Sequence, residues 1–221
     1  MADTTRLLFI RHGESNATVE QRISGEATCT GLSDLGRQQA AALRDRFAAG
    51  HERAVDVLYS STLARARETA EIVSPALGDL PIVERSDLVE RRPGVADGML
   101  FTDFVEQFGR PDELANPFQP IAEAGESRAE FHYRVGNGIA EIVLQHHGKT
   151  IGIACHGGVI DVVMRTFMGA PVVGLFEIWA LNCALTEFSR HTDDDGKDGS
   201  WRIHRYNDAA HLAGLPPRTM Q

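Results

Sequence analysis

Four apolar residues, Leu7 to Ile10, stand together near the start of the chain, and polar Arg11 and His12 end the run. A short continuous apolar run with polar ends reads as a strand buried on both faces, which predicts a strand over residues 6–11. The segment AVDVLY, residues 54–59, predicts a second. Between them, LSDLGRQQAAALRDRF places Ala40, Leu43 and Phe47 at i, i+3 and i+7, the spacing of one helix face. Ser33 is the expected N-cap of that helix and Gly50 its stop. STLARARETAEIV predicts another helix, capped by Ser60 or Ser61. A long helix is expected over residues 127–147, with Phe131, Val135, Ile139 and Ile142 on one face. TIGIAC, residues 150–155, is a continuous apolar strand, and GGVIDVVMRTFMG behind it reads as a helix. Residues 184–188 and 201–205 are late strands joined by the turn TDDDGKDG. Strands alternating with helices predict an α/β fold with a mostly parallel sheet covered on both faces.

Residues 93–125 break this alternation. They interleave Pro93, Pro111, Pro117 and Pro120 with Phe101, Phe104, Phe108 and Phe118. Such a stretch is too apolar for a linker, so it is expected to pack on the domain as a lid or wall. With no internal repeat and no second boundary, residues 1–221 read as a single domain.

Composition narrows the function. The formal net charge of the 221 residues is -9, which argues against nucleic acid and anionic membranes as partners. Lys149 and Lys197 are the only lysines among 22 basic residues, so a positive cluster for an anionic substrate could come from arginine, which holds carboxylate and phosphate bidentately. Cys29, Cys155 and Cys183 are odd in number and show no CxxC spacing, which predicts free thiols rather than a disulfide framework or a zinc site. No apolar run has the length of a signal peptide core or a membrane span, and a cytoplasmic location is expected. A homodimer is compatible with the sequence.

The candidate chemistry lies at strand ends. Arg11 and His12 close the first strand at its C-terminal end, where open α/β sheets bind ligands. ACHGGVID sets His156 at the tip of another strand and at the start of a helix whose amides suit an anion. YSSTLARARETA adds Arg65 and Arg67 in the first turns of a third junction. Two histidines and at least two arginines meeting in one pocket suit phosphoryl transfer through histidine. A neutral imidazole is nucleophilic near its ordinary pKa of ~6.5. Guanidinium forks neutralise the equatorial oxygens of the transferring group without a metal. A carboxylic acid is then needed to protonate the departing alcohol.

The motifs RHGES, SSTLARARETA, LVER and CHGG, in this order and continuing to RYNDAAHL, resemble those of the histidine phosphatase superfamily, also called phosphoglycerate-mutase-like. The resemblance implies a three-layer α/β/α sandwich and no cofactor or metal. It implies that His12 becomes phosphohistidine, that Arg11, Arg65 and His156 bind the phosphoryl oxygens, and that Glu90 in LVERRPG is the proton donor. Two positions depart from the family pattern. Thr18 stands where the family often has asparagine, and retains a hydroxyl for the phosphate. The G-x-W-E-G-like segment is here GVADG, without the aromatic.

The sequence therefore points to a metal-independent phosphatase acting on small phosphorylated metabolites. A phosphoglycerate mutase using the same phosphohistidine is the alternative, but NAT after RHGES and HGGV at the second histidine differ from the tryptophan-asparagine and HGNS of the mutase branch. An inactive phosphate-binding module is a third. Arg91 is a candidate substrate contact, although Arg91 and Arg92 also read as a plain basic edge. Arg67 reads as surface, Glu14 and Ser15 as loop ties, Glu126 and Ser127 as a helix cap, and Asn207 and His211 as fastenings of the C-terminal segment. Specificity is expected from the insertion, through Arg91, Arg92, Phe101, Phe104 and Phe118.

Overall fold

Leu7 and Phe9 of β1 (Asp3–Arg11) face one side of a sheet, and Leu8 and Ile10 face the other. This period of two sets the layers of the whole molecule. The structure is a computed structural model that describes residues 3–193 and 197–216. Against Leu8 and Ile10 lie α2 (Asp34–Ala48) and α3 (Ala64–Val73), through Ala40, Leu43, Phe47 and Val73. Against Leu7 and Phe9 lie α5 (Arg128–Gln145) and α6 (Gly157–Met168), through Phe131, Val135, Ile139, Val159 and Val163. The result is the three-layer α/β/α sandwich.

Six strands form the sheet: β1, β2 (Val57–Ser61), β3 (Ile82–Arg85), β4 (Thr150–Cys155), β5 (Leu185–Thr192) and β6 (Arg202–Asp208), in the order β3-β2-β4-β1-β5-β6. The β1–β4, β2–β4 and β2–β3 pairings are parallel, and β5 and β6 add an antiparallel edge. Arg11 is in register with Cys155. The next residues, His12 and His156, therefore leave adjacent strands at one edge of the sheet.

Ser33 caps α2 by accepting from the Gly36 amide at 3.0 Å. Ser127 and Glu130 form a capping box at the start of α5. The insertion holds α4 (Phe101–Phe108) and a small core of Ala96, Phe104 and Ala122, with Ile23 and Ile121 packed on it. Backbone bonds from Ile23 to Met99 (2.9 Å) and from Gly98 to Ile23 (2.8 Å) tie it to the loop after α1 (Asn16–Val19). It stands as a wall beside the sheet edge.

Several expectations need correction. Neither Ser60 nor Ser61 caps α3: both belong to β2, and Leu63 holds the cap position with no side-chain bond. β2 begins at Val57 rather than at residue 54. The edge strand β3 was not expected, because PIVER is short and its Glu84 and Arg85 give no apolar period. Residues 194–196 of the expected turn lie outside the described residues. Among the described residues no helix is long and apolar enough to cross a membrane.

Candidate active site

His12 follows β1 directly, and its backbone is fixed on both sides. Its amide donates to the Cys155 carbonyl at 2.9 Å, and its carbonyl accepts from Asn182 Nδ2 at 2.9 Å. The ring is buried, with Nδ1 2.6 Å from the Gly13 carbonyl oxygen. A carbonyl only accepts, so Nδ1 carries the proton. Nε2 is then the basic nitrogen, and it accepts from Arg65 Nε at 3.1 Å. Burial, then the Arg65 and Arg11 guanidiniums, hold the His12 pKa well below the usual histidine value. The ring is neutral at pH 7, with its lone pair aimed at an arginine.

His156 is fully buried, and its ring centroid lies 5.1 Å from that of His12. Its Nε2 is 2.8 Å from Ser61 Oγ, which also accepts from the Leu63 amide at 3.2 Å. The Ser61 hydroxyl keeps its own proton to donate to Nε2, and in that arrangement the imidazole proton sits on Nδ1. Nδ1 has no hydrogen-bond partner among the described residues. Burial, Arg65, His12, Arg11 and Arg134 hold the His156 pKa well below the ordinary value too. A neutral ring with an uncommitted N–H suits the oxygen of a bound phosphoryl group.

Arg65 stands in the first turn of α3, buried, and its Nη1 donates to the Ser24 carbonyl at 3.1 Å and to Cys29 Sγ at 3.4 Å. The helix face that buries Arg65 leaves Arg67 exposed, paired with Glu71 and Glu84. Arg11 is anchored through Nη1 to the Ala180 carbonyl. Thr18 shares a hydrogen bond of 3.0 Å with Ser15, which caps α1. Glu14 accepts from Ser33 Oγ at 2.7 Å.

Glu90 reaches the same place from the loop after β3. One carboxylate oxygen accepts from its neighbour's amide, Arg91 N, at 2.9 Å; the other accepts from Gly158 N, in the first turn of α6, at 2.9 Å. A Cβ on Gly158 would lie 2.2 Å from Glu90 Oε1, so only glycine permits this approach. Arg11, His12, Thr18, Arg65, Glu90 and Arg91 all line one cleft of about 320 Å³. His156 lies beneath it. Arg91 is committed to the protein through Nε, 2.9 Å from the Glu126 carbonyl, and through Nη1 to Glu113. Arg92 binds Glu126 at 3.0 Å, so its role is structural. Phe101 and Phe104 line the cleft; Phe118 is 74% exposed and does not.

Asn207 and His211 fasten the C-terminal segment, Asn207 to the Leu181 amide and His211 beside Arg46. Sequence reasoning missed Ser61, Asn182 and the Ser24 carbonyl. Ser61 alone had a signal, its place in YSST at a strand end, and there it reads equally well as a helix cap.

The arrangement offers a neutral nucleophilic nitrogen, a ring of cationic and neutral donors, and a carboxyl group on one cleft. The chain was compared with known proteins. It is 31% identical over 217 residues to phosphoglycerate mutase-like protein 4 of Arabidopsis thaliana, covering 95% of this chain and 88% of that one. It is 28% identical to a glucosyl-3-phosphoglycerate phosphatase of Mycolicibacterium vanbaalenii, covering 94% and 96%. The solved structure of Bacillus stearothermophilus YhfR superposes with a TM-score of 0.78 at 27% identity, over 94% of this chain and 99% of that one. The sequence profile of the histidine phosphatase superfamily, branch 1, matches residues 7–209. The chain belongs to the histidine phosphatase superfamily, a group of phosphomonoester-hydrolysing enzymes.

Proposed function

We propose that the protein hydrolyses small phosphorylated metabolites through a phosphohistidine on His12, with no metal ion. The observation that carries this reading is the tautomer of His12: the Gly13 carbonyl holds the proton on Nδ1 and leaves the Nε2 lone pair on the cleft side, against Arg65. Nε2 attacks phosphorus as the ester P–O bond breaks. Arg11, Arg65 and the Nδ1–H of His156 stabilise the three phosphoryl oxygens. Glu90, in its protonated form, gives its proton to the departing alkoxide. Water then attacks phosphorus while Glu90 takes its proton, the P–N bond breaks with its electron pair returning to His12 Nε2, and phosphate leaves. A cleft of about 320 Å³ is at the small end of ligand sites, which favours a compact substrate. A relative named as a phosphatase supports hydrolysis rather than isomerisation.

The test is rapid mixing with a labelled phosphomonoester followed by quenching. An acid-labile, base-stable phosphoryl adduct on His12 is expected, and His12→Ala should form no adduct and lose turnover. Full turnover by that variant overturns the mechanism. Faster interconversion of 3- and 2-phosphoglycerate than phosphate release overturns the assignment as a phosphatase.

A further inference from the structure

Glu90 lies in an irregular loop after β3, a short edge strand, so sheet pairing does not fix its path. What holds the loop is Arg134 of α5, one turn after Phe131. Its Nη1 donates to the Asp87 carbonyl at 2.7 Å and to the Val89 carbonyl at 3.0 Å, and its Nη2 to the Glu90 carbonyl at 3.3 Å. Nε and Nη2 also donate to the two carboxylate oxygens of Glu126, at 2.6 and 2.7 Å. These five bonds use all five N–H groups of the guanidinium.

Glu126 grips the loop from its other end. It accepts from the Arg92 amide at 2.9 Å and from Arg92 Nη1 at 3.0 Å, while its own amide donates to the Arg92 carbonyl at 2.9 Å. Arg134 thus holds the carbonyls up to Glu90, and its counter-ion holds the backbone beyond. The scaffold behind this clamp is rigid, because α5 opens on a capping box and buries Phe131 and Val135 completely. The guanidinium also lies 5.2 Å from the centre of the Phe131 ring, which packs beside Gly158. Arg134 stands behind the cleft and is not part of its lining.

We infer that Arg134 is the positioning residue of the proton donor: its fork sets the backbone from Asp87 to Glu90, and with it the place of the Glu90 carboxyl group relative to His12. This rests on the reading of Glu90 as the acid and adds the residue through which the fold aims it. A misplacement of about 1 Å can cost about 10²-fold in rate. Lysine carries three donors on one nitrogen and cannot span three carbonyls and a carboxylate, so it is no substitute here.

The test measures kcat/KM, which covers the steps up to departure of the alcohol, for ethyl phosphate and p-nitrophenyl phosphate on one preparation of each variant. A smaller folded fraction lowers both values alike and leaves their ratio unchanged. Arg134→Lys is expected to lose about 10²-fold on ethyl phosphate. On p-nitrophenyl phosphate, whose leaving group needs no proton, the loss should be far smaller. Glu126→Gln, the milder change, should give a smaller loss of the same selective kind, and it carries the test if Arg134→Lys fails to fold. In a Glu90→Gln background either change should add little further loss on ethyl phosphate, as expected of residues that act through one group. Equal losses on both esters, or full additivity with Glu90→Gln, overturns the inference. If Glu90→Gln alone costs nothing on ethyl phosphate, the reading of Glu90 as the acid falls and this inference falls with it. A selective loss in Glu90→Gln without one in the clamp variants overturns the positioning role alone.

Discussion

Glu90 shows how one side chain's role depends on two backbone amides. Bonds from Arg91 N and Gly158 N, both at 2.9 Å, fix its carboxyl group at the cleft in one orientation. An alkoxide leaving group is strongly basic and needs a proton, and a positioned acid typically contributes ~10²–10⁴-fold to such a step. Glu90→Gln preserves size and much of the hydrogen bonding but cannot donate a proton as a carboxylic acid does. Its kcat on alkyl phosphates is expected to fall by roughly that factor. On p-nitrophenyl phosphate the loss should be much smaller, because nitrophenolate departs without a proton. Steady-state kinetics on both substrates decide this. Equal losses on both place the defect in folding or binding, and no loss on either makes Glu90 a bystander.

At the scale of elements, α6 does more than cover the sheet. Its first turn supplies the Gly158 amide to Glu90, and His156 is its N-cap residue. Of the two glycines that open the helix, Gly158 is the one whose approach a side chain would block; a Cβ on Gly157 would meet Arg11 at an ordinary 3.7 Å. Gly158→Ala would set a methyl group 2.2 Å from Glu90 Oε1 and 2.9 Å from the Phe131 ring. The carboxyl group has to swing away, while the helix itself tolerates alanine well. This variant is expected to reproduce the selective loss of Glu90→Gln on alkyl esters. A stability cost of about 1–3 kcal/mol is expected from overpacking Phe131, read as a lowered denaturation midpoint. Wild-type kinetics on alkyl phosphates would show that the amide-to-carboxylate contact does not position the acid.

For the whole molecule, the buried and half-buried histidines set the response to acid. His12 and His156 are held neutral by burial, His132 is lowered by burial, and His211 is pushed down to about 4, first by burial and then by Arg46. An unfolded chain binds protons on these rings near pH ~6.5 while the folded chain does not. Folding stability is therefore full above that pH and falls as the pH drops below it. The ion pairs of Glu52 with Arg205 and Arg46, and of Asp208 with Arg46, hold both carboxyl groups below their usual range. Their contribution is lost only at lower pH still. Thermal melts at constant ionic strength should show the midpoint falling steadily from about pH 6.5 toward 4. A midpoint unchanged between pH 7 and 5 would mean that these rings are accessible to protons in the folded state.

Local pattern was enough to determine the layers and the motif residues. The alternation in Leu7–Ile10 and the spacing of Ala40, Leu43 and Phe47 depend only on side-chain direction along a strand or helix, a short-range property. Ser33 and Ser127 were legible as caps for the same reason, since a cap bonds within its own first turn. Ser61 was not. A serine at a strand–helix junction suits either role, and only parallel pairing of β2 with β4 makes it the partner of His156. Likewise β3 exists because β2 offers it an edge, and nothing within PIVER requires it. The proximity of His12 and His156 follows from the Arg11–Cys155 register across the parallel pair, the His12 tautomer from the Gly13 carbonyl, and the seat of the His156 ring from Ser61. The sequence alone named the candidate reacting groups that the proposed mechanism uses, because their identity is chemical and their placement at strand ends is local. Their distances, protonation and the apolar wall facing them were decided by tertiary structure, because each depends on contacts between segments far apart in the chain.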